Sequence, residues 1–259
     1  MTLSYSNGIS ILELIIYFPC LFAASFLVFR HGVRRSGGFI FLVIFTIARI
    51  VGAACGLAAI NNPSTDLYTA AAICSSIGLS PLLMTCSGLL SRANESTSTP
   101  LPKPFFSLFR ILTIVALALT ISGITSNMSQ EGMLHPNTQV KVGMILYLVS
   151  WAFLILLLGI LYSRRWSIEK HEHRALVAVG VSAPLILVRV IYAMLVWFLA
   201  DDAFNALGGN QTAKLFLSVF VEMGVVFVCL GVGLTLRVRG VKTVGPEPVP
   251  VPVPGHQMA

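Results

Sequence analysis

The sequence predicts an all-α polytopic membrane protein, a bundle of seven transmembrane helices, on three observations. Of its 259 residues, 56% are hydrophobic and only 10% charged, against roughly a quarter charged in soluble domains. Seven stretches stay apolar over the ~20 residues that a helix needs to cross a bilayer. These runs are continuous rather than alternating with period two, which argues for helices and against a β-barrel.

The stretches are 9–29, 39–60, 68–91, 105–126, 140–162, 175–199 and 213–236. The first has no basic n-region or small-residue cleavage site before it, so it is expected to serve as an uncleaved signal. The second carries Arg49 at its middle, and its Gly52–Gly56 and Ala54–Ala58 spacings fit close helix packing. In the third, Gly78-Leu79-Ser80-Pro81 should bend the helix, because proline removes a backbone donor. Ser75, Ser76 and Ser80 can line or repair that bend, and Pro19 and Pro184 imply similar bends in the first and sixth stretches. Residues 1–240 thus form the transmembrane domain. The tail, 241–259, holds GPEPVPVPVPG and is expected to be extended, solvated and without fold.

Orientation follows from the basic residues of the short loops. Thirteen of the 17 Lys and Arg fall on one side: Arg30, Arg34, Arg35, Arg92, Lys103, Arg110, Arg164, Arg165, Lys170, Arg174, Arg237, Arg239 and Lys242. The other side holds Lys141 and Lys214 with Asp66, Glu131, Asp201 and Asp202. The N-terminus is therefore expected outside or in the lumen, the tail in the cytosol, and the endoplasmic reticulum is the expected membrane. A net charge of +7 distributed loop by loop, not on one face, excludes nucleic-acid binding. Cys20, Cys55, Cys74, Cys86 and Cys229 show no metal spacing and read as small core residues. Of the glycosylation patterns, Asn94 falls on the cytosolic side, and Asn127 and Asn210 lie close to the membrane.

Four embedded charges organise the chain. An unpaired arginine at the bilayer centre costs about 3 kcal/mol, so Arg49 must face the protein interior and find partners. Glu13, Arg189 and Glu222 are the other charges inside apolar runs. With a rise of ~1.5 Å per residue, Glu13 lies about one turn and Glu222 two to three turns below the outer surface, Arg49 near mid-membrane and Arg189 in the outer half. A polar pocket among stretches 1, 2, 6 and 7 is expected, rimmed by Asp66, Asp201 and Asp202. Tyr17 and Tyr192 accompany the charges and can offer π-faces to a cation; Trp197 and Phe216 fit an interfacial belt. Intramembrane ionisable groups are as a rule functional, although two ion pairs that only fix packing would show the same pattern. Whichever glutamate escapes direct arginine contact is the better proton donor. Glu222 ranks ahead of Glu13 because Val221, Met223, Val225 and Val226 shield it, whereas Glu13 is nearer lumenal water and suits an ionised arginine partner.

Rhodopsin is excluded, since the seventh stretch has no internal lysine for a Schiff base. A G-protein-coupled receptor is disfavoured, because the third stretch ends GLLSRANE and the seventh lacks Asn-Pro-x-x-Tyr. A transporter gains no support from seven stretches without internal symmetry.

Tyr17-Phe18-Pro19, Phe29-Arg30-His31-Gly32, Phe45 to Gly52, Ser76 to Leu83 and Gly88 to Arg92 together resemble a family of small fungal integral membrane proteins. It includes membrane-bound terpene cyclases of meroterpenoid pathways of the ascochlorin, ascofuranone and macrophorin type. The resemblance implies cyclisation of a farnesyl chain on a polyketide-derived ring, begun by protonation of a terminal epoxide or alkene. It carries no catalytic residue over to a numbered position. The chain's residues are compatible with this: a prenylated, lipid-soluble substrate can pass sideways between helices, and no metal or other cofactor is expected. The absence of a DDxxD-type motif argues only against ionisation-initiated cyclases. The expected site is therefore Glu222 and Glu13 as catalytic carboxyls, with Arg49, Arg189, Tyr17 and Tyr192 around the substrate. The alternative is a non-enzymatic seven-helix protein, sensor-like or structural.

Overall fold

The computed structural model describes residues 5–32, 38–61, 64–126, 137–169, 172–198 and 211–236. The expected tail, the Asn127 and Asn210 patterns, Glu131, Asp201, Asp202, and the loop bases Arg34, Arg35, Lys170, Arg237, Arg239 and Lys242 lie outside these residues, as does the side chain of Asp66.

Among the described residues, all regular structure is helical. The helices are α1 (Tyr5–His31), α2 (Phe39–Asn61), α3 (Thr65–Ile77), α4 (Leu79–Glu95), α5 (Lys103–Thr125), α6 (Thr138–Ser163), α7 (His173–Phe198) and α8 (Gln211–Thr235), with a 3-10 turn at Arg165–Ser167. Six of them, α1, α2 and α5 to α8, are long and apolar enough to cross a membrane, which makes this an integral membrane protein. Large apolar side chains such as Ile15, Phe18, Phe22, Phe26 and Phe29 of α1 stand exposed on the outside, where lipid tails would solvate them.

The third apolar stretch is two helices rather than one, divided at Gly78. Pro81 accounts for the place of the break. It has no N–H to give the carbonyl of Ile77, and its ring crowds that carbonyl. Gly78 stays near helical dihedrals, φ −53° and ψ −32°, so the chain continues in a helical sense across the break. At Pro19 and Pro184 there is no such division: α1 and α7 each continue through the proline as one helix.

α4 is the axle of the bundle, packed against α2, α5, α6, α7 and α8. Nearly all its residues are buried, among them Ser80, Thr85, Ser87, Arg92 and Asn94. This explains why it is the least apolar of the long helices. Surrounded by protein, it has no lipid-facing side to keep oily, and its hydroxyls return to the backbone, as Thr85 does to the Pro81 carbonyl at 2.8 Å. Gly38 begins α2 at φ 109°, a conformation glycine alone adopts readily. A Cβ there would lie 2.8 Å from the Thr85 carbonyl, so α2 and α4 approach backbone to backbone.

Side-chain contacts fix the helix directions. α1, α4 and α8 run one way and α2 and α7 the other, since His31 stacks on Phe39 and bonds toward Gly233 while Glu13, Arg49, Gly78, Arg189 and Glu222 gather at the far end. Gly52 and Gly56 perform the expected packing, against Cys74 of α3 and Ser10 of α1, but Ala54 and Ala58 face outward. Trp197 is buried rather than in a belt, whereas Phe216 is exposed. All five cysteines are free and buried or half-buried.

Candidate functional site

Four helices bring the embedded charges into one cluster. Glu222, in α8, is 0% exposed and sits between two guanidinium groups. Its Oε2 accepts from Arg49 Nη2 and its Oε1 from Arg189 Nε, while the Ser218 hydroxyl, one turn earlier, donates to Oε1 at 3.5 Å. Glu13, in α1 and 7% exposed, lies 3.5 Å from Arg49 Nη1. Arg49 therefore bridges the two carboxyl groups, and acidic and basic side chains alternate in the order Glu13–Arg49–Glu222–Arg189. A buried charge without a partner costs several kcal/mol, and Glu222 gives both guanidinium groups one.

Aromatic rings wall the cluster. The Arg49 guanidinium lies 5.7 Å from the Phe45 ring and that of Arg189 5.8 Å from Tyr192. Tyr17 is fully buried and meets Phe45 edge-on at 5.6 Å and 80°. Among the described residues, the Tyr17 hydroxyl and Arg49 Nε find no hydrogen-bond partner. Such orphaned buried groups call for an ordered water or a ligand oxygen.

Two backbone features deliver Glu222. α8 opens with a π-helical segment, Leu215–Phe220, directly before the α-helical segment Val221–Thr235 that carries it. π turns recur at functional sites, and here the widened turn points Ser218 and Val219 inward while Phe216 and Phe220 face out. The other is Gly78, where a Cβ would lie 3.5 Å from Glu222 Oε1, 3.5 Å from Arg49 Nη2 and 3.3 Å from Phe45.

All six residues singled out on sequence thus lie in or against one cluster. The expected division between the glutamates is corrected: Glu222 does not stand apart from the arginines but holds both, and Glu13 has the single, longer contact. Protonating Glu222 would weaken its hold on two guanidinium groups at once. Protonating Glu13 leaves Arg49 its partner in Glu222. Sequence reasoning missed Phe45, Ser218 and the part played by Gly78; the bend motif was seen, and only its depth level with Arg49 could have tied it to the charges.

A second polar group was also missed. Arg92, expected as a loop base, is buried and pairs with Glu172. Asn94, expected to be unmodified in the cytosol, is buried and bonds the Leu101 backbone through both amide atoms, at 3.1 Å and 2.7 Å.

No curated protein and no solved structure matches the chain. A family described as a domain of unknown function, DUF7702, matches residues 3–239. That span takes in every helix from α1 to α8 and the whole charge cluster, and the chain belongs to that family.

Proposed function

We propose that this protein is a membrane-bound terpene cyclase that protonates the terminal epoxide or alkene of a farnesyl chain on a meroterpenoid intermediate, with Glu13 as the proton donor. The observation that supports this assignment is the unequal hold on two carboxyls that share Arg49 inside an apolar bundle. A carboxyl in such surroundings keeps its proton unless a cation holds the anion. Glu222, ranked first on sequence, is the ionised anchor, and Glu13 carries the labile proton. Arg49 and Arg189 fix the anchor. The rings of Phe45, Tyr17 and Tyr192 stabilise the carbocation, each by about 0.5–2 kcal/mol.

The reaction balances as an isomerisation. The proton passes from Glu13 to the epoxide oxygen or alkene carbon, the C–O or π bond opens, neighbouring alkenes close C–C bonds in turn, and the last cation returns a proton to the Glu13 carboxylate. The prenylated substrate reaches the site sideways from the bilayer. Along with this reading go seven crossings, with α3 and α4 together as the third, an N-terminus in the lumen of the endoplasmic reticulum, and a cytosolic C-terminus. The alternating helix directions support the odd count.

The pairing of Glu222 supports a second reading. A fully buried carboxylate held between two guanidinium groups is also what a packing lock needs, and the protein is then non-enzymatic. The deciding experiment expresses the chain in a heterologous host fed a farnesylated phenol or its terminal epoxide, and looks for a cyclised isomer of unchanged mass. Product from the parent and none from Glu13→Gln at equal abundance supports the cyclase. No cyclised product from either substrate supports the lock.

A further inference from the structure

At the other end of the bundle, about 27 Å from Glu13 along α1 by helical rise, a second buried group joins four helices. Arg92 of α4 donates from Nε to both oxygens of Glu172 at 3.1 Å. Its Nη1 lies 3.3 Å from His31 Nδ1. The far nitrogen of that ring, Nε2, is 3.3 Å from the Gly233 carbonyl of α8. Alongside, Arg30 donates to the Leu234 carbonyl at 3.0 Å.

The partners decide the tautomer. Arginine only donates, so Nδ1 must offer its lone pair, and a carbonyl only accepts, so the ring proton belongs on Nε2. Both ring nitrogens are then satisfied, in the neutral form alone. A second proton would sit on Nδ1 and face an arginine N–H. Among the described residues the groups around His31 reinforce this: Arg92 from α4, Arg30 beside it on α1 and Glu172 ahead of α7 are its charged neighbours, two cations to one carboxylate, while α2 contributes the Phe39 ring at 5.4 Å and α8 the Gly233 carbonyl.

We propose that the His31–Arg92–Glu172 junction is an acid-opened latch, closed while His31 is neutral and released when it takes a proton. Release frees the ends of α1 and α8 from α4 and leaves the Glu13–Arg49–Glu222–Arg189 cluster closed. The sign follows from where the proton binds better. The separated chain accepts it freely and the closed junction does not, so the latch contributes fully above the ordinary imidazole value of about 6.5 and its contribution is lost as pH falls below it. The latch does not depend on the cyclase reading, and its test uses no substrate.

The test is hydrogen exchange of the full chain in lipid nanodiscs at about pH 7.5 and about pH 5.5, either side of that value, corrected for the intrinsic pH dependence of exchange. In the parent, acid should raise exchange several-fold in residues 26–32 and 228–236 and leave residues 10–18 unchanged. His31→Gln, whose amide can accept from Arg92 and donate to Gly233, should abolish the response, and His173→Gln should retain it. A parent without the acid response, or a His31→Gln that keeps it, overturns the latch. Should His31→Gln fold poorly, Glu172→Gln gives a second reading: weaker hold on Arg92 should make the same segments exchange fast at both pH values, and parental behaviour there also overturns it.

Discussion

Gly78 faces Glu222 across the bundle interior, where an added Cβ would stand 3.5 Å from the carboxylate oxygen and 3.3 Å from the Phe45 ring, leaving space for a methyl and little more. The break between α3 and α4 is thereby the floor of the charge cluster. Gly78→Ala puts one methyl at van der Waals distance and should keep near-parental folded yield. Gly78→Leu must displace Phe45 or split Arg49 from Glu222, and overpacking of this kind costs about 1–3 kcal/mol. Thermal unfolding in detergent reads the difference; equal melting of the leucine variant and the parent would show that the floor is open.

Arg49 is the shared partner of Glu13 and Glu222, and Arg174 is exposed at the start of α7. Arg49→Leu strands buried negative charge, a loss of about 3–5 kcal/mol, whereas Arg174→Leu should cost well under 1 kcal/mol. Abundance in microsomes and melting temperature should fall for the first and hold for the second. Similar values for both would mean that Arg49 is not buried among acids.

The two glutamates should separate stability from chemistry. Glu222→Gln removes the anion between two guanidinium groups and should lower melting and abundance strongly. Glu13→Gln removes one contact of 3.5 Å, so abundance stays near parental while cyclised product disappears. A Glu13→Gln protein that cyclises at the parental rate removes Glu13 from the reaction.

The proposed seven crossings, with a lumenal N-terminus, make a prediction for the chain ends. A glycosylation reporter ahead of Met1 should be modified, and one after Ala259 should not. Modification of both, or of neither, would mean an even number of crossings.

The cluster was legible in the sequence because a charge inside an apolar run has to find a partner, and Glu13, Arg49, Arg189 and Glu222 are such charges. Who pairs with whom was not legible. Counting residues gives depth but leaves each helix free to rotate about its axis, and the π turn of α8 adds a residue that rotates everything before it by about 100°. Arg92 was misread for a related reason: a base within a turn of a helix end looks solvated, and only the fold shows Glu172 and His31 closing over it. The break at Gly78 was half legible, since Pro81 marked a bend but could not say that α4 beyond it is enclosed on all sides.

That enclosure bears on how the chain is made. A segment emerging from the ribosome enters the bilayer according to its own transfer free energy, and α4, which brings Arg92, Asn94 and several hydroxyls, is outside the six helices long and apolar enough to cross a membrane. The helix against which α2, α5, α6, α7 and α8 pack is thus the least able to partition by itself. Its enclosure needs those partners in place, so the centre of the finished bundle should be among the last parts to settle.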